Sequence, residues 1–411
     1  MKVTNQAPSM RIPMRRSDLT AFSCFALLAL ASTPLLQGCS GTTTIAKDWK
    51  GIFSPQEENS ISYERARKAF ADGQLSTALQ EVEQGLQKSA NDENLLMLKA
   101  DIESYDCQFE KAIADYSKAI SCGASSAAYA ARGEAYLRLG KFSHARSDIQ
   151  EAFTSPGGTN YGGLLLELNN IEYDAQHPLK DPAKLWAIAC TSSLYTNRGN
   201  GNNSLYGAVP SEDLAKGQRQ VLTKFWGINS RKQLLAMLKR LVHDFDNRRW
   251  QEMRRLQDTP AFLLQFRAGW VLQEDYDHAI KLLREHSSEY GDRGIQAWDF
   301  CRYMNVCRAG YQAKYLSEDE TWTLMMPMAA RIQTLAKSWA QLESEYLVGY
   351  SFWSRSAFAS DEWHYMRNVN RLLKDPNSPW VKLPWNTKID SKFDDEAIYR
   401  AIDKVSENQE P

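Results

Sequence analysis

Asp299 and Arg302 are the side chains in this chain whose types and spacing could most directly do chemistry. Two residues three positions apart on a helix lie on one face, so this carboxylate and this guanidinium can pair. In a functional site the guanidinium would bind an anion through two hydrogen bonds, while the carboxylate would orient it or act as an acid or base. The sequence favours the simpler role, in which a partly buried ion pair orients neighbouring helices.

Arg331, Gln333 and Glu343 form a weaker group of candidates beside a run of apolar residues. On a single helix, Gln333 and Glu343 would be roughly three turns apart and would lie near one edge. A carboxylate there, such as Glu343, could perform acid–base catalysis. Polar residues that flank an apolar stripe are more often solvated, and the sequence favours that interpretation.

Familiar catalytic and metal-binding motifs are absent from the sequence. It contains no GxSxG motif, no glycine-rich phosphate loop after a strand and no HExxH motif. The histidines that a metal site would need are scattered, at His243, His278, His286 and His364. We therefore predict neither a metal site nor a cofactor. An enzyme with an unfamiliar site stays open as an alternative.

An apolar seam is the element that would position the second group of candidates. Ser317 and Glu320 form a capping box, in which the side chain of each residue bonds the backbone N–H of the other, and this starts a helix. Apolar residues then recur at alternating steps of three and four, which predicts one long helix. They are Met325, Met328, Ile332, Leu335, Trp339, Leu342, Tyr346, Gly349 and Trp353. Pro327 should kink this helix or restart it.

The stretch that carries these residues contains several linked motifs. It opens with the pattern GI-x-AWD-x-x-R from Gly294, continues with AGY from Ala309, and closes with SW from Ser338 and YL-x-G from Tyr346. A WGI pattern from Trp226, followed by a leucine-rich helix, belongs to the same set. Together they resemble bacterial domain-of-unknown-function family 1266. The resemblance places a domain at residues 182–386 and implies no particular activity.

Composition divides the chain into two halves. Lys and Arg number 49 against 50 Asp and Glu, so no basic excess indicates a nucleic-acid partner. Eleven of the 12 tryptophans lie between Trp186 and Trp385, which predicts a separate packing unit there. No alternating strand pattern is evident, so we predict an all-α fold. A polar C-terminal tail with a weak helix would occupy residues 387–411.

The N-terminus has the pattern of a bacterial lipoprotein signal. Arg11, Arg15 and Arg16 precede an uncharged run that ends in Leu36-Gln37-Gly38-Cys39. We predict a signal peptide at residues 1–38, with Met1, Met10 or Met14 as the start, and a lipidated Cys39. Ser40 favours the outer membrane, facing the periplasm, and an uncleaved anchor is the alternative. A polar tether would cover residues 39–59.

Five cysteines would remain after removal of the signal, leaving aside the lipidated one. They are Cys107, Cys122, Cys190, Cys301 and Cys307, and their spacing fits neither a CxxC motif nor a zinc site. Cys301 and Cys307 would be about 9 Å apart along one helix, too far for a disulfide. The sequence leaves the disulfide status of all five open.

Residues 60–153 contain a repeat of about 34 residues. The motif around Ala78 recurs around Ala112 and Ala145, with Gly73, Cys107 and Gly140 at the start of each copy. It resembles the tetratricopeptide repeat, and generic helical hairpins are the alternative. Stacked repeats of this kind offer a concave surface to a protein partner. A linker with a connecting helix would follow at residues 154–181.

These features predict a lipid-anchored interaction or scaffold protein. The alternative is an enzyme or small-ligand-binding protein with its site around Asp299, Arg302 and the tryptophan-rich region, and a weaker one is an envelope immunity or stress factor. We also expect a helix near residues 276–285. The Gly/Asn-rich loop at residues 197–204 should be solvated and mobile.

Overall fold

The computed structural model describes residues 61–123, 125–155, 161–243, 245–256, 273–354 and 362–408. The predicted signal peptide, Cys39 and the tether lie outside these residues, as do residues 156–160 of the predicted linker. Within the described ranges every regular element is a helix, which confirms the all-α fold class. None of the helices there is long and apolar enough to cross a membrane.

The first half is a stack of three helical hairpins. They are α1 (Ile61–Ala71) with α2 (Leu75–Lys88), α3 (Glu93–Tyr105) with α4 (Phe109–Ser121), and α5 (Ser126–Arg138) with α6 (Phe142–Thr154). Each hairpin packs against the next one, as a solenoid requires. The repeat motif falls at the turn inside each hairpin.

Small residues let the paired helices approach closely. Ala66, Ala78, Ala112 and Ala145 are fully buried. At Gly133, a Cβ atom would lie 2.8 Å from Cγ1 of Ile149, so only glycine fits at this crossing. The periodic alanines of the sequence are therefore the contact points between helices.

The turn of each hairpin requires a left-handed residue. Gly73 and Gly140 have φ values of 74° and 68°, which glycine adopts without strain. The second hairpin has Cys107 at this position with a φ of 61°. A side chain in this conformation costs about 1 kcal/mol, so the second turn is strained.

The second half begins with helix α7 (Gly162–Gln176), which lies where the sequence predicts a connecting helix. The elements after it are α8 (Pro182–Ala189), α9 (Ser192–Asn197), α10 (Glu212–Trp226), α11 (Arg231–His243), α12 (Asp246–Leu256), α13 (Gln273–Tyr290), a 3-10 turn (Gly291–Arg293), α14 (Gln296–Gln312), α15 (Glu318–Gln333), α16 (Trp339–Ser354), α17 (Glu362–Lys374), α18 (Pro379–Lys382) and α19 (Asp395–Ser406). The leucine-rich helix predicted after the WGI pattern is α11, and the helix expected near residues 276–285 is α13.

Helix α14 is the centre of this half. It packs against α10, α11, α12, α15 and α16. All of its residues except Gln296 and Tyr311 are buried. A helix that is enclosed on all sides must find partners inside the protein for each of its polar side chains.

The apolar seam is buried as predicted, but it does not lie on one helix. The capping box is confirmed, with Glu320 N 3.3 Å from Ser317 Oγ and Ser317 N 2.9 Å from Glu320 Oε2. Helix α15 runs through Pro327 without interruption and ends at Gln333, so the helix does not restart at the proline.

A separate helix start at Ser338 causes the break between α15 and α16. Ser338 Oγ accepts a hydrogen bond from Gln341 N at 3.1 Å, and Gln341 Oε1 accepts one from Lys337 N at 2.9 Å. These bonds satisfy amides that would otherwise need a preceding helical turn, so α16 begins at Trp339. Gln333 and Glu343 consequently lie on different helices, and their predicted common edge does not exist.

The segment after residue 387 is more than a polar tail. Ile398, Ile402 and Val405 of α19 are buried in the main hydrophobic core. Arg231 links this helix to the capping box, since it pairs with Glu320 at 2.7 Å and donates to Val405 O at 2.6 Å. The polar residues predicted from the sequence form only the outer face of this helix.

The Gly/Asn-rich loop is held in place, contrary to the expectation that it is solvated. Asp174 of α7 accepts hydrogen bonds from the amides of Asn203 and Ser204 at 2.7 and 2.8 Å. The side chains of the same two residues also donate to this carboxylate. Ser204 is buried, because the Asp174 carboxylate supplies the acceptors that water would otherwise supply. Asn200 is also buried, and its Oδ1 accepts a hydrogen bond from Asn170 Nδ2 at 3.2 Å.

Candidate functional site

A polar stripe runs along the buried helix α14. Its members recur every three or four residues, so each lies near the next, while the stripe winds around the helix until Arg308 faces the side opposite Asp299. They are Asp299, Arg302, Asn305, Arg308 and Gln312. The sequence analysis identified only the first two members. Asn305, Arg308 and Gln312 continue the same spacing and could have been identified from it. The sequence analysis did not identify them because polar residues at helical spacing usually indicate a solvated face.

Arg302 meets a carboxylate that the sequence analysis did not identify. Its Nη1 lies 2.5 Å from Oδ2 of Asp246, at the start of α12, and 3.6 Å from Oδ1 of Asp299. Trp298 Nε1 also donates to Asp246 Oδ2, at 3.0 Å. The predicted pair of Asp299 and Arg302 is therefore part of a cluster of three charged residues. Within it, Asp246 lies closer to Arg302 than Asp299 does.

Three aromatic rings enclose the guanidinium of Arg302. The centroids of Trp226, Phe245 and Trp298 lie 4.8, 4.5 and 4.6 Å from its Cζ. Arg302 is 9% exposed and Asp299 only 2%. Such an arrangement stabilises the cation by ring contacts and ion pairing together. The anionic groups that Arg302 binds are therefore carboxylates of the protein itself, those of Asp246 and Asp299.

Asp299 is a carboxyl group with an altered proton affinity. Burial and the nearby carboxylate of Asp246 raise its pKa to about 8, against the opposing effect of Arg302. Its Oδ2 accepts a hydrogen bond from Asn247 N at 2.8 Å. A carboxyl of this kind can hold a proton at neutral pH, which is the property of a general acid.

Arg308 and Gln312, in the last turns of α14, hold the end of the Gly/Asn-rich loop and the residues directly after it. Arg308 donates to Thr191 Oγ1 at 2.7 Å and to the carbonyl oxygens of Ser204 and Leu205 at 2.9 and 3.2 Å. Gln312 donates to the carbonyl oxygen of Tyr206. These bonds explain why two long polar side chains are tolerated inside the domain.

Glu343 lies in a buried polar group next to α14. Its Oε1 accepts a hydrogen bond from Tyr365 Oη at 2.9 Å, and Ser193 also bonds to it. Burial raises the pKa of Glu343 to about 7 in spite of these bonds. The predicted solvated role of this residue does not fit its position.

A small void lies beside this group. Its volume is about 10 Å³, and its lining includes Ser193, Cys301, Arg302 and Tyr346. That volume is about the smallest that holds one water molecule. The void joins the predicted site around Arg302 to the α16 segment that carries Glu343, without forming a substrate-sized cavity.

Gln333 and Arg331 lie apart from this group. Gln333 Nε2 donates to the carbonyl oxygens of Trp385 and Thr387 at 2.6 and 2.9 Å, and so holds the segment after α18. Arg331 Nε lies 3.6 Å from Oδ1 of Asp395 in α19. Both residues attach the C-terminal segment to the domain.

The tryptophan-rich region is a packed cluster. Trp339 lies 4.8 Å from Trp186, 6.0 Å from Trp380 and 5.0 Å from Trp385, measured between ring centroids. Three of the indole N–H groups donate to backbone carbonyls, those of Ala189, Leu383 and Trp385. The rings therefore fill the interior and fasten the segment around α18 to α8.

The five cysteines of the described chain are free thiols. Cys190, Cys301 and Cys307 are buried, and burial raises their pKa values well above the usual range. Within the described ranges no group of three or more His, Cys, Asp or Glu side chains is placed to bind a metal ion.

Comparison with known proteins concerns the second half of the chain. Residues 221–385 match a family described as a protein of unknown function, DUF1266. The C-terminal domain is thus an all-α domain that resembles this family.

Two proteins of Escherichia coli (strain K12) show more local similarity. Uncharacterized protein YbeU is 33% identical over 66 residues, which is 16% of this chain and 28% of that protein. Uncharacterized protein YbeR is 25% identical over 134 residues, 32% of this chain and 56% of that protein. The chain therefore spans less than two thirds of either relative. No solved structure matches it.

Proposed function

We propose that this chain is a lipid-anchored protein of the bacterial envelope, facing the periplasm from the outer membrane, and that it binds a protein partner through its repeats. The observation that carries the proposal is the stack of three hairpins joined to a domain whose buried Arg302 and Arg308 bind groups of the domain itself. A stack of hairpins that resembles tetratricopeptide repeats offers a broad surface of the kind that scaffold proteins use.

The lipid anchor has a direct test. Cells that express the full chain are fed an alkyne-tagged fatty acid, and the protein is then examined for label. Cys39→Ala should remove the label and move the protein to the soluble fraction. Cys24→Ala is the matched control, because this cysteine lies within the predicted signal and should leave labelling intact. Equal labelling of both variants would contradict the anchor.

An enzyme or small-ligand-binding protein is the second candidate, and Glu343 favours it. A buried carboxyl with a pKa of about 7 beside Tyr365 and Ser193 resembles a general acid–base group. The site would have to open, because the void beside Arg302 has a volume of only about 10 Å³.

Two sets of variants separate the candidates in a strain that lacks the gene. Under the scaffold proposal, the charge reversals Asp106→Lys and Glu110→Lys on the surface of the second hairpin abolish function, while Asp299→Asn and Glu343→Gln are tolerated. The enzyme candidate requires the opposite pattern. Circular dichroism of each purified variant confirms that it is folded.

A further inference from the structure

Helix α17 has two faces that bind different halves of the chain. Val369 and Leu372 are buried in the core of the C-terminal domain. Arg367, Asn370 and Arg371 point to the repeats, as does Lys374 at the end of the helix. The cationic residues are four and three positions apart, so they form one stripe along the helix.

The repeats meet this stripe with acceptor groups from α3 and α5. Glu134 of α5 lies 3.3 Å from Arg367 Nη2 and 3.4 Å from Arg371 Nη1. Asp106, directly after α3, lies 2.8 Å from Lys374 Nζ. Asn370 Nδ2 donates to the carbonyl oxygen of Tyr105 at 2.8 Å. We call Tyr105, Asp106 and Glu134 the acidic face.

The carboxylates of the acidic face are held in their ionised form. Burial opposes ionisation of Glu134, but Arg367, Arg138 and Arg371 together keep its pKa well below the usual range. Partial burial likewise acts against the charge of Asp106, and the hydrogen bond from Lys374 lowers its pKa overall. The acidic face is thus negatively charged while it contacts α17, whose Arg367, Arg371 and Lys374 help to keep the carboxylates ionised.

These contacts between α17 and the repeats are polar. They are ion pairs and a hydrogen bond. The outermost pair is partly solvated, with side-chain exposures of 46% for Lys374 and 33% for Asp106, whereas the pairs of Glu134 with Arg367 and Arg371 are more enclosed. Partly exposed ion pairs contribute little stability, and polar contacts between domains resemble transient protein interfaces. The contact can therefore open without exposing the apolar side of α17.

We propose that the acidic face is a docking site for a cationic helix of a partner protein, and that α17 is its intramolecular occupant, which the partner displaces. This inference rests on the proposed function, because it names the surface and the partner chemistry of the same scaffold. A competing helix carries basic residues at positions i, i+4 and i+7, as α17 does with Arg367, Arg371 and Lys374.

Binding of a labelled peptide to the full chain tests the exchange. The probe is a synthetic peptide of residues 362–374 carrying a fluorescent dye, and anisotropy reports its binding. The triple variant Arg367→Ala, Arg371→Ala and Lys374→Ala should bind the peptide at least about tenfold more tightly than the unmodified chain, because its own helix no longer competes. Adding Glu134→Gln and Asp106→Asn should remove this gain.

A variant with fewer substitutions keeps the test possible if the triple variant does not fold. Asn370→Ala with Lys374→Ala removes only two of the contacts and should strengthen peptide binding about two- to threefold. The inference is overturned if folded variants bind no better than the unmodified chain, or if Glu134→Gln leaves binding unchanged. If only the peptide experiment fails, the proposal of a scaffold protein still stands. The scaffold proposal itself fails if the repeats contact no partner protein in cells.

Discussion

Nη1 of Arg302 lies 2.5 Å from Oδ2 of Asp246, a residue 56 positions earlier in the chain. This pair joins the buried helix α14 to the start of α12, inside a cage of three aromatic rings. Arg302, a candidate for binding an external anion, therefore binds a carboxylate of its own domain.

Arg302→Lys should destabilise the protein by about 2 to 4 kcal/mol. Lysine keeps the charge but loses the planar contacts with the three rings and the guanidinium geometry that pairs with Asp246 and Asp299, and a disturbed buried pair is costly. Chemical denaturation measures the free energy of unfolding. Arg331→Lys is the control, since its more exposed pair should change stability by about 0.5 kcal/mol or less. Equal effects of the two substitutions would contradict this role.

Stability should fall as the pH rises from 5 to 8. Burial raises the pKa of Asp299 to about 8 and those of Glu343, Asp101 and Glu103 to about 7. Each folded-state value exceeds the unfolded value of about 4, so the stabilisation is fully present below that pH and is lost as the pH rises through the folded values. Glu134 acts in the opposite sense, but its contribution is lost only at more acidic pH, outside this window.

Asp299→Asn should make that pH dependence about one third smaller, because it removes the carboxyl with the highest of these four pKa values. Thermal melts at several pH values measure the slope. Asp319→Asn, at an exposed position on α15, is the matched control and should leave the slope unchanged. An unaltered slope for Asp299→Asn would show that this carboxyl is ionised throughout the range.

Cys107→Gly should stabilise the protein by about 1 kcal/mol. The residue has a φ of 61° in a turn where the other two hairpins have glycine. Glycine relieves the strain of a side chain in this conformation. Cys122→Gly is the control, because Cys122 has a φ of −90° and gains nothing from the change. Urea denaturation that finds Cys107→Gly less stable than the unmodified chain would argue against strain in this turn.

Gly349→Ala should destabilise the protein by about 2 kcal/mol or more. An added Cβ would lie 2.2 Å from Cβ of Trp298, so α14 and α16 would have to move apart. Gly163→Ala in α7 has no atom within 4 Å of the new Cβ and should be neutral or stabilising by up to about 1 kcal/mol. Similar melting temperatures for the two variants would exclude close contact at Gly349.

Local patterns in the sequence predicted much of the fold. The hairpins, the capping box at Ser317 and the leucine-rich helix follow from spacing within a few turns. The break before Trp339 was also detectable, since Ser338 and Gln341 have the spacing of a helix start, but the continuous apolar seam argued for one helix.

The site could be predicted only in part. The partner of Arg302 is Asp246, and that of Arg308 is the loop around Ser204, so each contact depends on how distant segments pack. Arg367 and Glu134 both have the sequence pattern of solvated residues, and their contact exists only because α17 lies on the repeats. Spacing along one helix cannot reveal such a contact.

Site-specific photo-cross-linking in intact cells tests the central claim most directly. A photoreactive amino acid is placed at the exposed positions Lys68, Gln84 or Glu110 of the repeats, and at Lys382 or Glu396 of the C-terminal domain as controls. The account predicts that repeat positions cross-link to one envelope protein, and that the free peptide of residues 362–374 reduces this product in isolated envelopes. Cross-links that arise only from the C-terminal positions, or no cross-links from the repeats, would contradict it.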